Sequence, residues 1–326
     1  MKAGLLSFGQ AVPAAPVMRR AAAAPAVRRE EATAPAAPSA AARPSAMRGI
    51  GLIVASTLFF SCADVIAKAL AGAMPAAEVA WLRYVTFAML VLPLLFLKSG
   101  PALNSRRPDL QIVRGLAMVG SALLFTAGLR YLPVADSTSI YFISPILITA
   151  LSIPFLGEVV GWRRWAAALV GLLGVLVVIR PGTSAFEMAS LLPLAGAPCW
   201  AAASIVTRKM SGADRPITTM GYSALVGLVV TTAMLPFDFV MPTAEQVALG
   251  IGFGVLSTLG HWLVVLAYRH ASASVIAPYG YAQLIWAGVL GYLAFGTMPE
   301  AFTIAGAGII AASGLYTVYR ERVRAS

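Results

Sequence analysis

The sequence predicts an all-α integral membrane protein whose ten transmembrane helices form two inverted five-helix repeats. Three observations carry this prediction. The chain is 59% hydrophobic and only 11% charged, with a mean hydropathy of +0.82, whereas a soluble domain holds roughly 45–50% apolar and about 25% charged residues. Apolar runs near the ~20 residues that cross a bilayer as a helix recur along its whole length. The second half also repeats polar and aromatic landmarks of the first.

Residues 1–47 stand apart from this pattern. The stretch "AVPAAPVMRRAAAAPAVRREEATAPAAPSAAARPSAMR" is Ala, Pro and Arg with almost no large apolar side chain, and it cannot bury enough surface to fold. It reads as a disordered cytoplasmic tail, or alternatively as an Arg-rich organellar transit peptide, since it lacks the apolar core of a secretory signal. The apolar runs that follow cover 49–70, 77–97, 111–130, 134–156, 163–180, 188–208, 217–236, 245–268, 272–295 and 300–319. Their connections are a few residues long, so neighbours are antiparallel and no folded extramembrane domain fits between them.

The formal charge of +11 invites a nucleic-acid reading, but its placement argues for topology instead. With the tail in the cytoplasm, the inner loops and the basic C-terminus (321–326) collect thirteen Lys and Arg between Lys98 and Arg324, while the outer loops hold only Arg130 and Arg180. This positive-inside asymmetry places both termini in the cytoplasm, as an even number of crossings requires. No nucleic-acid partner is expected. The lipid bilayer is the surrounding partner, and the location is the plasma membrane, the inner membrane of a bacterium.

The repeat emerges when "GLRYLPVADSTSIYFISPILITALSIPFLGE" (128–158) is set beneath "AYRHASASVIAPYGYAQLIWAGVLGYLAFGT" (267–297). Arg130 then meets Arg269, Phe142 meets Tyr281, Ser144 meets Gln283 and Gly157 meets Gly296. Upstream, "LFFSCADVIAKAL" (58–70) pairs with "PCWAAASIVTRKM" (198–210), matching Phe60 with Trp200 and Lys68 with Arg208. Five helices per half is an odd number, so the second half enters the membrane upside down, the architecture that supports alternating access in many secondary transporters.

The stretches from Ala122 to Gly182 and from His261 to Tyr316, with "LGE" (156–158) and "VVIRPG" (177–182) as their most specific pieces, resemble the paired EamA domains of the drug/metabolite transporter superfamily. The resemblance covers about 48–320, with a first repeat at 48–182 and a second at 188–320. It implies ten helices, cytoplasmic termini and a central cavity lined by the first, third, fourth, sixth, eighth and ninth helices. It also implies export or uptake of small organic metabolites without ATP. In one place the sequence departs from the family pattern: after "FG" the second repeat usually has an acidic residue, and Thr297 stands there, with Glu300 three residues on.

Candidate site residues follow from polarity at membrane depth. Tyr141, Ser144, Pro145 and Ile148 share one face of the fourth run, and Tyr279, Gln283 and Trp286 share one face of the ninth at i, i+4 and i+7. Proline frees a carbonyl one turn earlier, which is tolerated where it lines protein or a wet cavity. Arg83 in the second run either contacts an anionic substrate or serves structure, bonded to carbonyls or to Glu78. Asp64 and Lys68 are spaced as an intrahelical pair, with Asp64 a coupling or gating candidate. Asp136, after Pro133, reads as a first-turn cap of the fourth helix. His261 could bind substrate or couple protons, and Trp200 and Trp262 either stack on a planar substrate or pack. Glu158, beside Arg163 and Arg164, suits a gate or a structural anchor. Gly171, Gly174, Gly306, Gly308, Ala311 and Ala312 suit close helix packing or a homodimer contact.

The expected function is a secondary active transporter of a small organic metabolite such as an amino acid or a vitamin, with a passive channel and an integral-membrane enzyme as alternatives. No nucleotide-binding loop, HExxH, nucleophile elbow or metal-ligand spacing occurs in the sequence, so no cofactor, metal or catalytic residue is expected. Cys62 and Cys199 read as small buried side chains.

Overall fold

In the computed structural model, residues 42–97, 104–157, 161–183, 186–210, 214–270 and 277–325 are described, and these are helical or connecting, with no strand among them. The predicted tail up to residue 41 and Glu158 lie outside the described residues. The helices are α1 (Ala42–Ala71), α2 (Ala76–Leu97), α3 (Pro108–Tyr131), α4 (Val134–Tyr141), α5 (Ser144–Leu156), α6 (Trp162–Ile179), α7 (Leu191–Lys209), α8 (Pro216–Met234), α9 (Ala244–His270), α10 (Ala282–Phe295) and α11 (Ala301–Ala325). A short 3₁₀ turn, Ala277–Tyr281, leads into α10.

Seven segments are long and apolar enough to cross a membrane, and 165–179 and 301–316 are shorter apolar helices. The structure revises several expected boundaries. Helix α1 begins at Ala42, inside the predicted tail, and α11 runs to Ala325, through most of the predicted C-terminal segment. The fourth run is two helices, because the chain turns at Phe142 and Ile143 before Pro145. The residue ahead of Pro133 is extended, as the proline ring demands, and this ends α3 at Tyr131.

The repeat is visible in local geometry. Gly157 ends α5 at φ +70° and its equivalent Gly296 ends α10 at φ +68°, a left-handed cap that glycine adopts without a Cβ penalty. It is also visible in packing. Helix α1 packs along α9 as α7 packs along α3, α2 meets α9 as α8 meets α3, and α10 lies on α1 as α5 lies on α7. The pairs α2–α8 and α6–α11 join each helix to its own equivalent. The α6–α11 contact is backbone on backbone: a Cβ at Gly174 would come 2.9 Å from the Gly306 carbonyl, and one at Gly306 would come 2.6 Å from the Gly174 carbonyl. These small residues therefore serve packing within the chain, where van der Waals contact must do what apolar burial does in water.

The outer surface is apolar where a bilayer would touch it. Leu169, Leu173 and Leu176, on one stripe of α6, are 58%, 58% and 41% exposed. Inside, one cluster around Leu70, Met74, Leu82 and Phe253 joins α1, α2 and α9, and a second around Ile140, Val175, Val178 and Ile310 joins α4, α6 and α11.

Polar ties link the two repeats at both ends. At one end, Asp214 accepts hydrogen bonds from Ser105 Oγ, from the Arg106 N–H at 3.0 Å and from Gln111 Nε2 at 2.7 Å. Burial alone would raise this carboxyl, but those bonds outweigh it and hold Asp214 below the ordinary carboxylate range. At the other end, Glu78 accepts from the Val240 N–H at 3.2 Å, Arg180 pairs with Glu300 at 2.7 Å, and Thr303 donates to Asp136 at 2.8 Å. Asp136 is thus a tie to α11, and Pro133 occupies the N-cap position expected for a polar cap. Glu300, after the departure at Thr297, holds the left-handed Arg180 that ends α6.

Candidate functional site

The α4–α5 turn and the 3₁₀ turn that leads into α10 lie at repeat-equivalent positions, and their aromatic rings meet. Pro145 has no N–H, so the Tyr141 carbonyl loses its donor and the α4–α5 turn forms. The Phe142 and Tyr281 rings lie 5.4 Å apart beside that turn. Next to them is a cavity of about 290 Å³, lined from α1, α2, α3, α4, α5, α7, α9 and α10. It includes all six lining helices implied by the resemblance and adds the second.

Seven of the predicted site residues line it: Asp64, Arg83, Tyr141, Ser144, Trp200, His261 and Gln283. Both members of two repeat pairs are among the lining residues, Ser144 with Gln283 and Phe60 with Trp200. The Gln283 amide donates to Asp64 Oδ2 at 3.3 Å. Tyr141 Oη lies 2.6 Å from Ser121 Oγ, which in turn bonds the Gly196 carbonyl at 2.9 Å. His261 Nδ1 lies 2.8 Å from the Ser257 carbonyl, and its ring packs edge-on against Phe60 at 4.9 Å and stacks toward Phe87 at 6.5 Å.

The charged groups take partners other than those their spacing suggests. Lys68 does not pair with Asp64; it donates to the Leu129 and Leu132 carbonyls at 3.1 and 2.8 Å, oxygens left free at the negative end of α3. It also sits 5.6 Å over the Phe295 ring. Arg83 lies 4.6 Å over Tyr84 and 5.5 Å from the Phe253 centroid, while Glu78 is engaged by Val240. The cavity thus holds one carboxylate and one guanidinium, and no salt bridge joins them among the described residues.

Three expected residues are elsewhere. Tyr279 is 38% exposed and lines an apolar groove between α10 and α11. The 3₁₀ turn over 277–281 has three residues per turn, so Tyr279 and Gln283 do not share the face that α-helical spacing would give them. Trp286 lies one turn beyond Gln283, away from the cavity lining, with a buried Nε1 that has no partner. Trp262 is 42% exposed and does not line the cavity either. Sequence reasoning passed over Tyr84, Phe87, Phe125, Ser121, Thr138 and Ser257. Phe60 carried a usable signal, its alignment with Trp200; apolar aromatics and isolated hydroxyls in α2 and α3 carried none.

Comparison with known proteins agrees with this architecture. The family model described as the EamA-like transporter family matches residues 47–180 and again 188–319. An S-adenosylmethionine uptake transporter of Rickettsia felis is 29% identical over 276 residues, covering 85% of this chain and 94% of the relative. A riboflavin transporter of Vibrio cholerae is 32% identical over 243 residues, covering 74% and 82%. A pseudopaline exporter of Pseudomonas aeruginosa is 28% identical over 264 residues, covering 80% and 93%. One solved crystal structure shares the fold with a TM-score of 0.61 at 17% identity, covering 87% of this chain and 99% of the other.

Proposed function

Because this chain belongs to the EamA-like transporter family of multi-pass membrane proteins, we propose that it is a secondary carrier that moves a small organic metabolite by alternating access. The observation that carries the reading is the cavity beside the α4–α5 turn and the 3₁₀ turn before α10, lined by equivalent residues from both repeats. A site related to itself by the repeat faces either side of the membrane at equal cost, and modest rocking of one half against the other exchanges the two openings. Polar ties at both ends favour this over a passive channel, which keeps a continuous path. In this proposal ten crossings form inverted five-helix repeats at 48–182 and 188–320, and both termini face the cytoplasm of a cell whose plasma membrane holds the protein.

Arg83, Asp64, Tyr141, Ser144, Trp200, His261 and Gln283 make up the proposed substrate site. Its aromatic walls suit a planar group, and its two opposite charges suit a zwitterion. Amino acids, vitamins and related compounds fit that description, and the uptake and export named for the relatives leave direction to be set by gradients. Counterflow in proteoliposomes tests the proposal: vesicles loaded with unlabelled amino acids, S-adenosylmethionine or riboflavin should accumulate the matching labelled compound saturably and without ATP. Non-saturable flux would identify a channel, and product formation in detergent would identify an enzyme.

A further inference from the structure

The repeat relation fixes one register for two separate helix crossings. A Cβ at Gly254 of α9 would lie 2.4 Å from the Thr86 Cβ on α2, and one at Gly115 of α3 would lie 2.7 Å from the Val226 Cβ on α8. Gly115 relates to Gly254 by the offset that joins Arg130 to Arg269, and Thr86 to Val226 by the offset that joins Phe60 to Trp200. The α2–α9 and α8–α3 crossings are therefore the same contact made twice. In this register Arg83 corresponds to Ser223, and Phe253 corresponds to Arg114. Arg83 lies about two turns from the start of α2 and Arg114 about two turns from the start of α3, which in the proposed topology puts them nearer opposite faces of the membrane.

Each crossing holds one guanidinium, and opposite partners carry it. Arg83 on α2 lies over the Phe253 ring of α9 at 5.5 Å. Arg114 on α3 donates to Ser223 Oγ of α8 and, through Nε, to Thr207 Oγ1 of α7 at 2.7 Å. The Ser223 and Thr207 hydroxyls give their own hydrogens to the Thr219 and Ala203 carbonyls at 2.8 and 2.7 Å, so toward Arg114 they only accept. Among the described residues no carboxylate pairs with Arg114. A cation within a membrane span that has only neutral oxygens around it keeps its full attraction for an anion.

The cavity uses the two crossings unequally. Ala122 and His261, an equivalent pair on α3 and α9, both line it. Arg83 and Tyr84 of α2 line it too, whereas their equivalents on α8, Ser223 and Ala224, do not and are 3% and 0% exposed. Alternating access between inverted repeats exchanges the conformations of the two halves, which carries position 223 to the cavity wall and withdraws position 83. A serine is too short to take over from an arginine, but Arg114 stands against it and has the reach. Resting on the carrier reading, we propose that Arg114 is the contact for the substrate's anionic group in the state open to the other side, so that a carboxylate held by Arg83 in one state is held by Arg114 in the next. Ser223 and Thr207 are then the latch that parks Arg114 while Arg83 is in use.

The test takes whichever of the twenty common amino acids and S-adenosylmethionine the parent chain accumulates in counterflow, and measures its equilibrium binding to purified protein with the methyl ester as competitor. Arg83→Gln and Arg114→Gln should each reduce counterflow yet keep saturable binding and a preference for the acid over its ester, because each leaves one state with its guanidinium. The double variant should bind the acid about tenfold or more weaker than either single variant, the effect of losing a hydrogen bond to a charged group, and should no longer prefer it to the ester. Thr207→Val, which loosens the latch but keeps the guanidinium, should lower the melting temperature in detergent without weakening binding, and melting of every variant checks its fold. An Arg114 that serves structure alone would add no loss of acid preference to Arg83→Gln, and that result overturns the proposal, as does complete loss of the preference in Arg83→Gln by itself. Counterflow of riboflavin alone, which has no carboxylate, overturns it while leaving the carrier reading intact, and counterflow of none of these compounds overturns both.

Discussion

Replacing Gly227 by Ala probes the wall of the cavity from behind. A Cβ at this position of α8 would lie 2.1 Å from two carbons of the Tyr84 ring, where carbon atoms rest at about 3.5–4.0 Å. The ring must therefore move by roughly 1.5 Å to restore contact distance, and Tyr84 is 2% exposed, with Arg83 stacked 4.6 Å away. Overpacking of a filled interior costs about 1–3 kcal/mol, and a displacement of this size belongs at the upper end. The gain in helix propensity from Gly to Ala, about 1 kcal/mol, offsets part of it. The net expectation is a loss of about 1–2 kcal/mol, read as a fall of a few degrees in the melting temperature in detergent, together with weakened counterflow because Arg83 moves with its ring. Gly308→Ala is the control, since nothing lies within 4 Å of a Cβ there, and it should be neutral or slightly stabilising. In the Gly227→Ala background, Tyr84→Ala should cost less stability than it does in the parent chain, because the clash has gone. A Gly227→Ala protein that melts and transports like the parent would refute the packing assigned to α2 and α8.

Arg83→Ala and Gln283→Ala should each reduce counterflow while the protein stays inserted and folded; normal transport by both would sink the cavity assignment. Lys68→Met should lower the melting temperature, since the Leu129 and Leu132 carbonyls lose their donor at a cost of about 1–3 kcal/mol; an unchanged melt would show that water replaces the ammonium. For Asp214 the sign follows from its lowered carboxyl: its contribution is fully present above the unfolded value, about 3.9, and is lost as pH falls through the lower folded value. Asp214→Asn should therefore melt earlier than the parent at neutral pH, and the gap should close in acid; a pH-independent gap would assign the effect to geometry alone. His261→Ala should flatten the pH dependence of counterflow if the imidazole couples protons, and an unchanged profile would assign it to binding.

Much of the fold was legible because bilayer crossing is a demand on composition and length, which sequence displays directly. The repeat was legible because equivalent positions kept related side chains: Gly157 and Gly296 share a left-handed cap, and Phe60 and Trp200 share the cavity wall. The partners of charged residues were less so. Asp64 and Lys68 stand at pairing distance in sequence, yet one turns to Gln283 on α10 and the other to carbonyls at the end of α3, because free helix-end oxygens and amides from distant helices compete with a neighbour four residues away.

The sequence by itself determined that this chain lies in a membrane, that it repeats, and that its fourth and ninth apolar runs carry polar residues at equivalent positions, since each of these is written in composition or in spacing. Only the tertiary structure decided which polar residues meet. A 3₁₀ turn before α10 rotates Tyr279 out of register with Gln283, and the α4–α5 turn brings Tyr141 to Ser121. Linear spacing assumes a constant helical period, and the site forms where that period breaks.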